Sequence, residues 1–248
     1  MSTIGVFDSG SGGLSVLREI RKILPHERYV YFSDNAHCPY GEKSREYITD
    51  RARAITDDML SRGADAIVVA CNTATAAAIS TLRSEYSIPF VGMEPAVKPA
   101  ALGTRSGVIG VLATAGTLVS SKYLDTRGLY QDSVRIAEHV GRGYVELVES
   151  LELDGPHAMQ VVRESLQPLL DEGADIIVLG CTHYPFLLPL MQRIAPAGVR
   201  FIDPAPAVAR RLKDVLSQAG IPESAGPGIV ELLSSGPSDT LKKLFSSI

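Results

Sequence analysis

The sequence predicts an α/β protein of two similar domains, each built on a parallel sheet, and three observations carry that prediction. Strand and helix signals alternate along the whole chain, the signature of βαβ units. Segments such as Ala66-Ile67-Val68-Val69 and Ile176-Ile177-Val178-Leu179 are apolar on both faces, as expected when helices cover both sides of a parallel sheet. Part of the chain is also written twice. Gly63-Ala64-Asp65-Ala66-Ile67-Val68-Val69-Ala70-Cys71-Asn72-Thr73 returns 110 positions later as Gly173-Ala174-Asp175-Ile176-Ile177-Val178-Leu179-Gly180-Cys181-Thr182-His183. Ser61-Arg62 and Asp171-Glu172 form helix ends before the two copies, and Ile4-Gly5-Val6-Phe7-Asp8-Ser9 is echoed by Ile109-Gly110-Val111-Leu112-Ala113-Thr114.

In chain order, a strand at about 3–8 passes through the glycine-rich turn Gly10-Ser11-Gly12-Gly13 into a helix at 13–24. A strand at 28–33 ends before the turn Cys38-Pro39-Tyr40-Gly41, and a helix at 44–62 leads into the first copy of the repeat at 65–70. Helix 74–86 and strand 88–93 complete the first half. A helix at 96–103 opens the second half, followed by strand 107–112, helix 117–129, strand 133–138 and helices 143–150 and 157–172. Strand 175–180, helix 185–194 and strand 198–202 close it, leaving helix 205–219, strand 228–234 and helix 237–246 without counterparts. That remainder most simply returns to complete the first domain, giving domains of 1–95 plus 205–248 and of 96–204. Two such halves, related by a pseudo-two-fold, can face each other around one cleft.

Composition excludes several classes. Hydrophobic residues make up 45% of the 248 and charged residues 21%, ordinary values for a globular protein with a sizeable core. A net charge of −4 without Lys/Arg runs argues against nucleic-acid partners and against a membrane surface. Met1-Ser2-Thr3 runs into a strand without a basic and apolar leader, so no signal peptide is expected. No apolar run approaches the ~18–20 residues of a membrane span. A cytoplasmic location is the expectation.

The three cysteines, Cys38, Cys71 and Cys181, are odd in number and widely spaced, unlike a disulfide framework or a structural zinc site. A single buried cysteine is ordinarily a small inert hydrophobe, and Cys38 keeps that reading. Cys71 and Cys181 do not, because each sits where a copy of the repeated strand gives way to polar residues. Ligands of open α/β sheets bind beyond the carboxyl ends of strands, and two thiols on opposite sides of one bound carbon are what a two-base proton exchange needs.

Four polar clusters fall at such strand ends: Asp8-Ser9-Gly10-Ser11-Gly12-Gly13, Cys71-Asn72-Thr73, Thr114 with Thr117, and Cys181-Thr182-His183. The glycine-rich loop fits a tight strand-to-helix turn and an anion site equally well. A free thiol titrates near 8.5, and helix N-termini after Cys71 and Cys181 would favour the thiolate. Asp8 and His183 are in range to manage protons. An amino-acid α-hydrogen is weakly acidic, so preorganised donors and exclusion of water are required; Ser9, Asn72, Thr73 and Thr182 are suitable donors. No metal ligand set is evident.

Gly5-Val6-Phe7-Asp8-Ser9-Gly10-Ser11-Gly12-Gly13-Leu14, Asp34 with Cys38-Pro39-Tyr40-Gly41, Cys71-Asn72-Thr73, Glu94-Pro95-Ala96 and Leu179-Gly180-Cys181-Thr182-His183-Tyr184-Pro185 together resemble the glutamate racemases of the cofactor-independent amino-acid racemase group. The resemblance implies interconversion of L- and D-glutamate, supplying D-glutamate for peptidoglycan, with no cofactor and no metal. It implies that Cys71 removes the α-proton from D-glutamate and Cys181 from L-glutamate, with Asp8, His183 and Glu149 assisting. The candidate substrate-binding set is Asp8, Ser9, Pro39, Tyr40, Gly41, Asn72, Thr73, Thr114, Thr117, Thr182 and His183. Family members are often homodimers, and nothing in the sequence identifies an interface. This chain departs from the family in having Val140-Gly141-Arg142-Gly143 where Ala-Cys-Pro is common, ahead of Leu147-Val148-Glu149. It also has Ser33-Asp34-Asn35 where Gly-Asp-Thr is usual.

Rival readings keep the same two thiols or dispense with them. An aspartate or hydantoin racemase would share the mechanism, but His183 matches glutamate racemases, whereas aspartate racemases usually carry Glu there. A small-anion binding protein would leave two aligned cysteines without purpose. Nothing in the sequence excludes a redox pair with a Cys71–Cys181 bridge, although a substrate held between the thiols would prevent it.

Overall fold

The computed structural model describes residues 2–248. The elements alternate as β1 (Thr3–Asp8), α1 (Leu14–Ile23), β2 (Arg28–Ser33), α2 (Arg45–Ser61), β3 (Ala66–Val69), α3 (Asn72–Glu85) and β4 (Phe90–Val91). They continue as α4 (Val97–Gly103), β5 (Val108–Ala113), α5 (Ala115–Leu118), α6 (Ser121–Gly128), β6 (Arg135–Val140), α7 (Tyr144–Glu149), α8 (Pro156–Asp171) and β7 (Ile176–Gly180). The series ends with α9 (Leu188–Ile194), β8 (Arg200–Ile202), α10 (Ala205–Gln218), β9 (Ile229–Ser234) and α11 (Asp239–Phe245). Short 3-10 turns occupy Asn35–His37, Tyr40–Glu42 and Tyr184–Leu187.

The chain divides into two compact units, Met1–Met93 with Ala205–Ile248, and Glu94–Pro204. In the first unit five strands pair in parallel in the order β4-β3-β1-β2-β9. In the second, four pair in parallel in the order β6-β5-β7-β8. Reversed, the second order reads β8-β7-β5-β6, so each of its strands has a counterpart in β4-β3-β1-β2. Only β9 is extra; it lies against the outer edge of β2, with Ser33 opposite Ser234.

The repeated residues have physical reasons to repeat. Gly63 and Gly173 take left-handed φ values of 82° and 86° just after α2 and α8. Their N–H groups donate to Leu60 O and Leu170 O, and the next residues donate to Met59 O and Leu169 O, closing both helices alike. Gly5 and Gly110 lie on the central strands where those helices cross. A Cβ at Gly5 would stand 2.6 Å from Met59 Sδ, and one at Gly110 would stand 3.2 Å from Leu169 Cβ and 2.6 Å from Ile177 Cδ1. Both strands β3 and β7 are buried along their whole length, which accounts for their unbroken apolar runs.

Several elements differ from expectation: the strand read at 88–93 pairs only over Phe90–Val91, and the strand read at 198–202 begins at Arg200. The helix read over 117–129 is two, because the Ser120 side chain accepts from Tyr123 N–H and caps α6 afresh. The strand read at 133–138 lies two residues later. The helix read at 185–194 begins as a 3-10 turn, since Pro189 is tolerated only in the first turn of an α-helix and so fixes the start of α9. The return segment packs α10 on α1 and buries Val208, Ala209, Leu212 and Leu216. Ser224 N–H donates to Glu27 Oε1 at 2.9 Å and Ser2 N–H to Ser224 Oγ at 2.9 Å, tying the return segment to the starts of β1 and β2. No helix of the described residues is long and apolar enough to cross a membrane.

Candidate active site

In the first unit, β1 and β3 are neighbours with Phe7 opposite Val69, so the loops after Asp8 and Ala70 leave the sheet side by side. The Asp8 carboxylate is fully buried and accepts Ser9 N–H at 2.7 Å and Gly13 N–H at 2.6 Å. Those two loop amides therefore serve Asp8 itself. A Cβ at Gly13 would lie 2.8 Å from Asp8 Cβ, so the turn closes only on glycine. Cys71, 5% exposed, is the N-cap of the fourteen-residue helix α3. Ala74 N–H donates to its sulfur at 3.4 Å, and Ser9 Oγ lies 3.8 Å away. Amide donors at a helix N-terminus favour the thiolate form of a cysteine.

Asn72 and Thr73 follow on the first turn of α3, both buried. Neither polar atom of the Asn72 side chain has a hydrogen-bond partner among the described residues, although both are buried. A buried amide rarely goes unpaired, and here both of its polar atoms stay available beside Cys71. Tyr40 and Gly41 lie in a 3-10 turn that Pro39 precedes. The Tyr40 hydroxyl donates to Asp34 Oδ2 at 2.5 Å, and Arg51 holds the same carboxylate in two bonds of 2.9 and 2.7 Å. Burial alone would raise the Asp34 carboxyl, but the bonds from Arg51 and Tyr40 hold it below its ordinary value. Burial and the adjacent Asp34 charge push the Tyr40 phenol upward, so it stays protonated as a donor. Arg51 was not singled out by sequence, where it is one basic residue among several on α2.

In the second unit, Cys181 follows β7 and is 8% exposed. The helix N-terminus expected after it is absent: Thr182 and His183 form a turn, and the 3-10 segment follows, for the proline reason given above. His183 takes over instead. Its Nδ1 lies 3.7 Å from Cys181 Sγ, and its Nε2 lies 2.7 Å from Glu149 Oε1 at the end of α7. His183 as a whole is 1% exposed. Burial alone would lower its pKa, but the bonds to Cys181 and Glu149 outweigh burial and hold it well above its usual value. The two thiols are thus served by different devices, a helix N-terminus at Cys71 and an imidazolium at Cys181. Glu149 reaches His183 despite the altered segment before it.

Thr114 and Thr117 stand at the end of β5, whose Ala113 is opposite Gly180. They face each other at 2.9 Å between hydroxyls, and Thr114 Oγ1 accepts Thr117 N–H at 3.3 Å as the cap of α5. Thr182 is buried beside Cys181.

A pair of α/β units, each with a buried thiol at the equivalent strand end beside an acid or an acid–imidazole pair, defines an isomerase of the racemase class. The family model for Asp/Glu/hydantoin racemases matches residues 4–212, and the chain belongs to that family. It is 53% identical to a glutamate racemase of Ectopseudomonas mendocina over 216 residues, covering 87% of this chain and 82% of that one. Against a glutamate racemase of Methylococcus capsulatus the identity is 49% over 237 residues, covering 95% and 88%. The fold matches the crystal structure of Escherichia coli glutamate racemase in complex with L-glutamate and an activator, with TM-score 0.88 and 34% identity over 99% of this chain and 94% of that one.

Proposed function

We propose that the protein interconverts L- and D-glutamate by two-base proton transfer, working in the cytoplasm to supply D-glutamate for peptidoglycan. The observation that carries this reading is the placement of Cys71 and Cys181 after β3 and β7, equivalent strands of two units with the same strand order. The mechanism requires one thiol on each face of the substrate α-carbon. For D-glutamate, the Cys71 thiolate takes the α-proton while the Cys181 thiol delivers one to the opposite face; for L-glutamate the roles exchange. Asp8 lies beside the Cys71 face, and His183, oriented by Glu149, manages the proton on Cys181. Asn72, Thr73, Ser9 and Thr182, with the backbone N–H groups of Tyr40 and Gly41, supply neutral donors to the substrate carboxylates. Such donors lower the barrier because they are aimed before the carbanion charge develops.

The test is solvent exchange. Incubation in D₂O places deuterium at the α-carbon of glutamate and not of aspartate or a hydantoin; exchange into either of those instead refutes the substrate assignment. Cys71→Ser and Cys181→Ser each abolish racemisation. On a glutamate analogue that loses a leaving group after proton removal, Cys71→Ser keeps activity on the L-form and Cys181→Ser on the D-form. The same enantiomer preference in both variants refutes the assigned roles.

A further inference from the structure

The Glu149–His183 pair spans two loops that the sheet does not hold directly: Glu149 ends a six-residue helix, and His183 lies in a turn. What fixes their meeting is a packed unit beneath them. Tyr184, next to His183, and Tyr144, which opens α7, are both fully buried, with ring centroids 4.9 Å apart at 65°, edge to face. The Tyr144 hydroxyl donates to Val162 O at 2.7 Å, anchoring that ring to α8. The Tyr184 hydroxyl reaches Gly141 O at 3.4 Å, and Tyr144 N–H reaches the same carbonyl at 3.4 Å.

Gly141 in turn hangs from β5, its N–H donating to Ala113 O at 3.1 Å. The backbone passes so close to the Tyr184 ring that a Cβ at Gly141 would lie 2.5 Å from the hydroxyl oxygen and 2.6 Å from Cζ. At its other end α7 stops on Leu151, which holds φ at 62°, a left-handed value costly for a residue with a Cβ. Glu152 N–H closes the helix onto Leu147 O at 2.8 Å. A strained stop two residues past Glu149 persists only where its surroundings over-determine it.

We infer that Gly141 and Tyr184 are positioning residues for the Cys181 half of the reaction, acting by setting the Glu149–His183 pair. Resting on the proposed racemase mechanism, the inference assigns a task to the segment Val140-Gly141-Arg142-Gly143 ahead of α7. A methyl group at position 141 pushes the phenol aside, and with it the adjacent His183, while Asp8, Ser9 and Cys71 belong to the other unit and keep their contacts.

The experiment compares the parent, Gly141→Ala, Tyr184→Phe and the double variant on the L- and D-forms of the leaving-group analogue, where each form needs only one base. Gly141→Ala is expected to slow the L-form about tenfold or more and leave the D-form within about twofold. The double variant is no slower than Gly141→Ala, because one displacement is not suffered twice. Equal slowing of both forms means a general loss of structure and overturns the inference, as does no slowing of either. A readout independent of turnover accompanies it: the His183 ring titration by NMR, assigned with His183→Gln. The imidazole keeps its raised pKa in the parent and falls toward the ordinary value in Gly141→Ala. An unchanged titration overturns the inference even if the parent proves inactive on glutamate, an outcome that would overturn the racemase reading alone.

Discussion

Replacing Glu149 by Gln removes one charge from a buried pair and leaves the shape nearly unchanged. The carboxylate lies 2.7 Å from His183 Nε2, the imidazole side chain is 2% exposed and that of Glu149 21%. Removing one partner of a fully buried pair costs several kcal/mol; the partial exposure of Glu149 and the oxygen that Gln retains reduce this to about 2–3 kcal/mol. The loss depends on pH with a definite sign. His183 titrates above its ordinary 6.5 in the folded chain, so its contribution is fully present below that value and fades as pH climbs through the folded pKa. Urea unfolding of parent and variant, followed by circular dichroism from pH 6 to 10, should show the stability gap widest at pH 6 and narrowing upward. A gap that stays constant, or widens with pH, refutes the reasoning that His183 is held protonated by Glu149.

Four further outcomes are expected. Arg51→Met strands the buried Asp34 carboxylate and destabilises the protein by about 3 kcal/mol at neutral pH. Because the Asp34 pKa is lowered, that gap should close as pH falls below about 4, which acid–urea titration will read. Gly180→Ala brings a Cβ to 2.7 Å from Ala113 Cβ and 3.1 Å from Leu112 O, and overpacking of this kind costs about 1–3 kcal/mol, measurable as a lowered Tm. Exhaustive chelation and removal of carbonyl cofactors leave racemisation intact, and activity lost on chelation and regained with a metal refutes a purely thiol-based mechanism. Light scattering across concentrations decides between a 26.5 kDa monomer and a dimer of twice that mass.

The repeat was the most legible part of the chain because its residues answer to backbone demands that any copy of the unit shares. Gly63 and Gly173 must be left-handed, Gly5 and Gly110 must let a helix approach, and β3 and β7 must be apolar on both faces. Those positions make the strand ends, and hence Cys71 and Cys181, readable from spacing alone. What spacing could not show depends on contacts between distant segments. Ser120 divides a continuous helical pattern through a cap that looks like any other serine. The environment of Cys181 was misread because a polar stretch after a strand ordinarily opens a helix, whereas Pro185 and Pro189 break this one into a 3-10 turn and a short helix. Arg51 joins Asp34 across 17 positions, and nothing in a helix rich in charged residues marks it out.

The pairing of β9 with β2 also sets the order in which the molecule can be finished. The second unit is one uninterrupted stretch, Glu94–Pro204, and leaves the ribosome complete while the first still lacks β9 and α10. Between the emergence of β4 and that of β9, translation at roughly 5–20 residues per second takes on the order of 10 s. Throughout that interval the outer edge of β2 presents unpaired backbone groups, and the face of α1 that α10 covers stays bare. An uncovered strand edge is a template for pairing with other chains. Nascent chains of this protein are therefore most in need of chaperone protection late in synthesis, and stop codons just upstream of Ile229 should yield aggregates rather than a smaller folded protein.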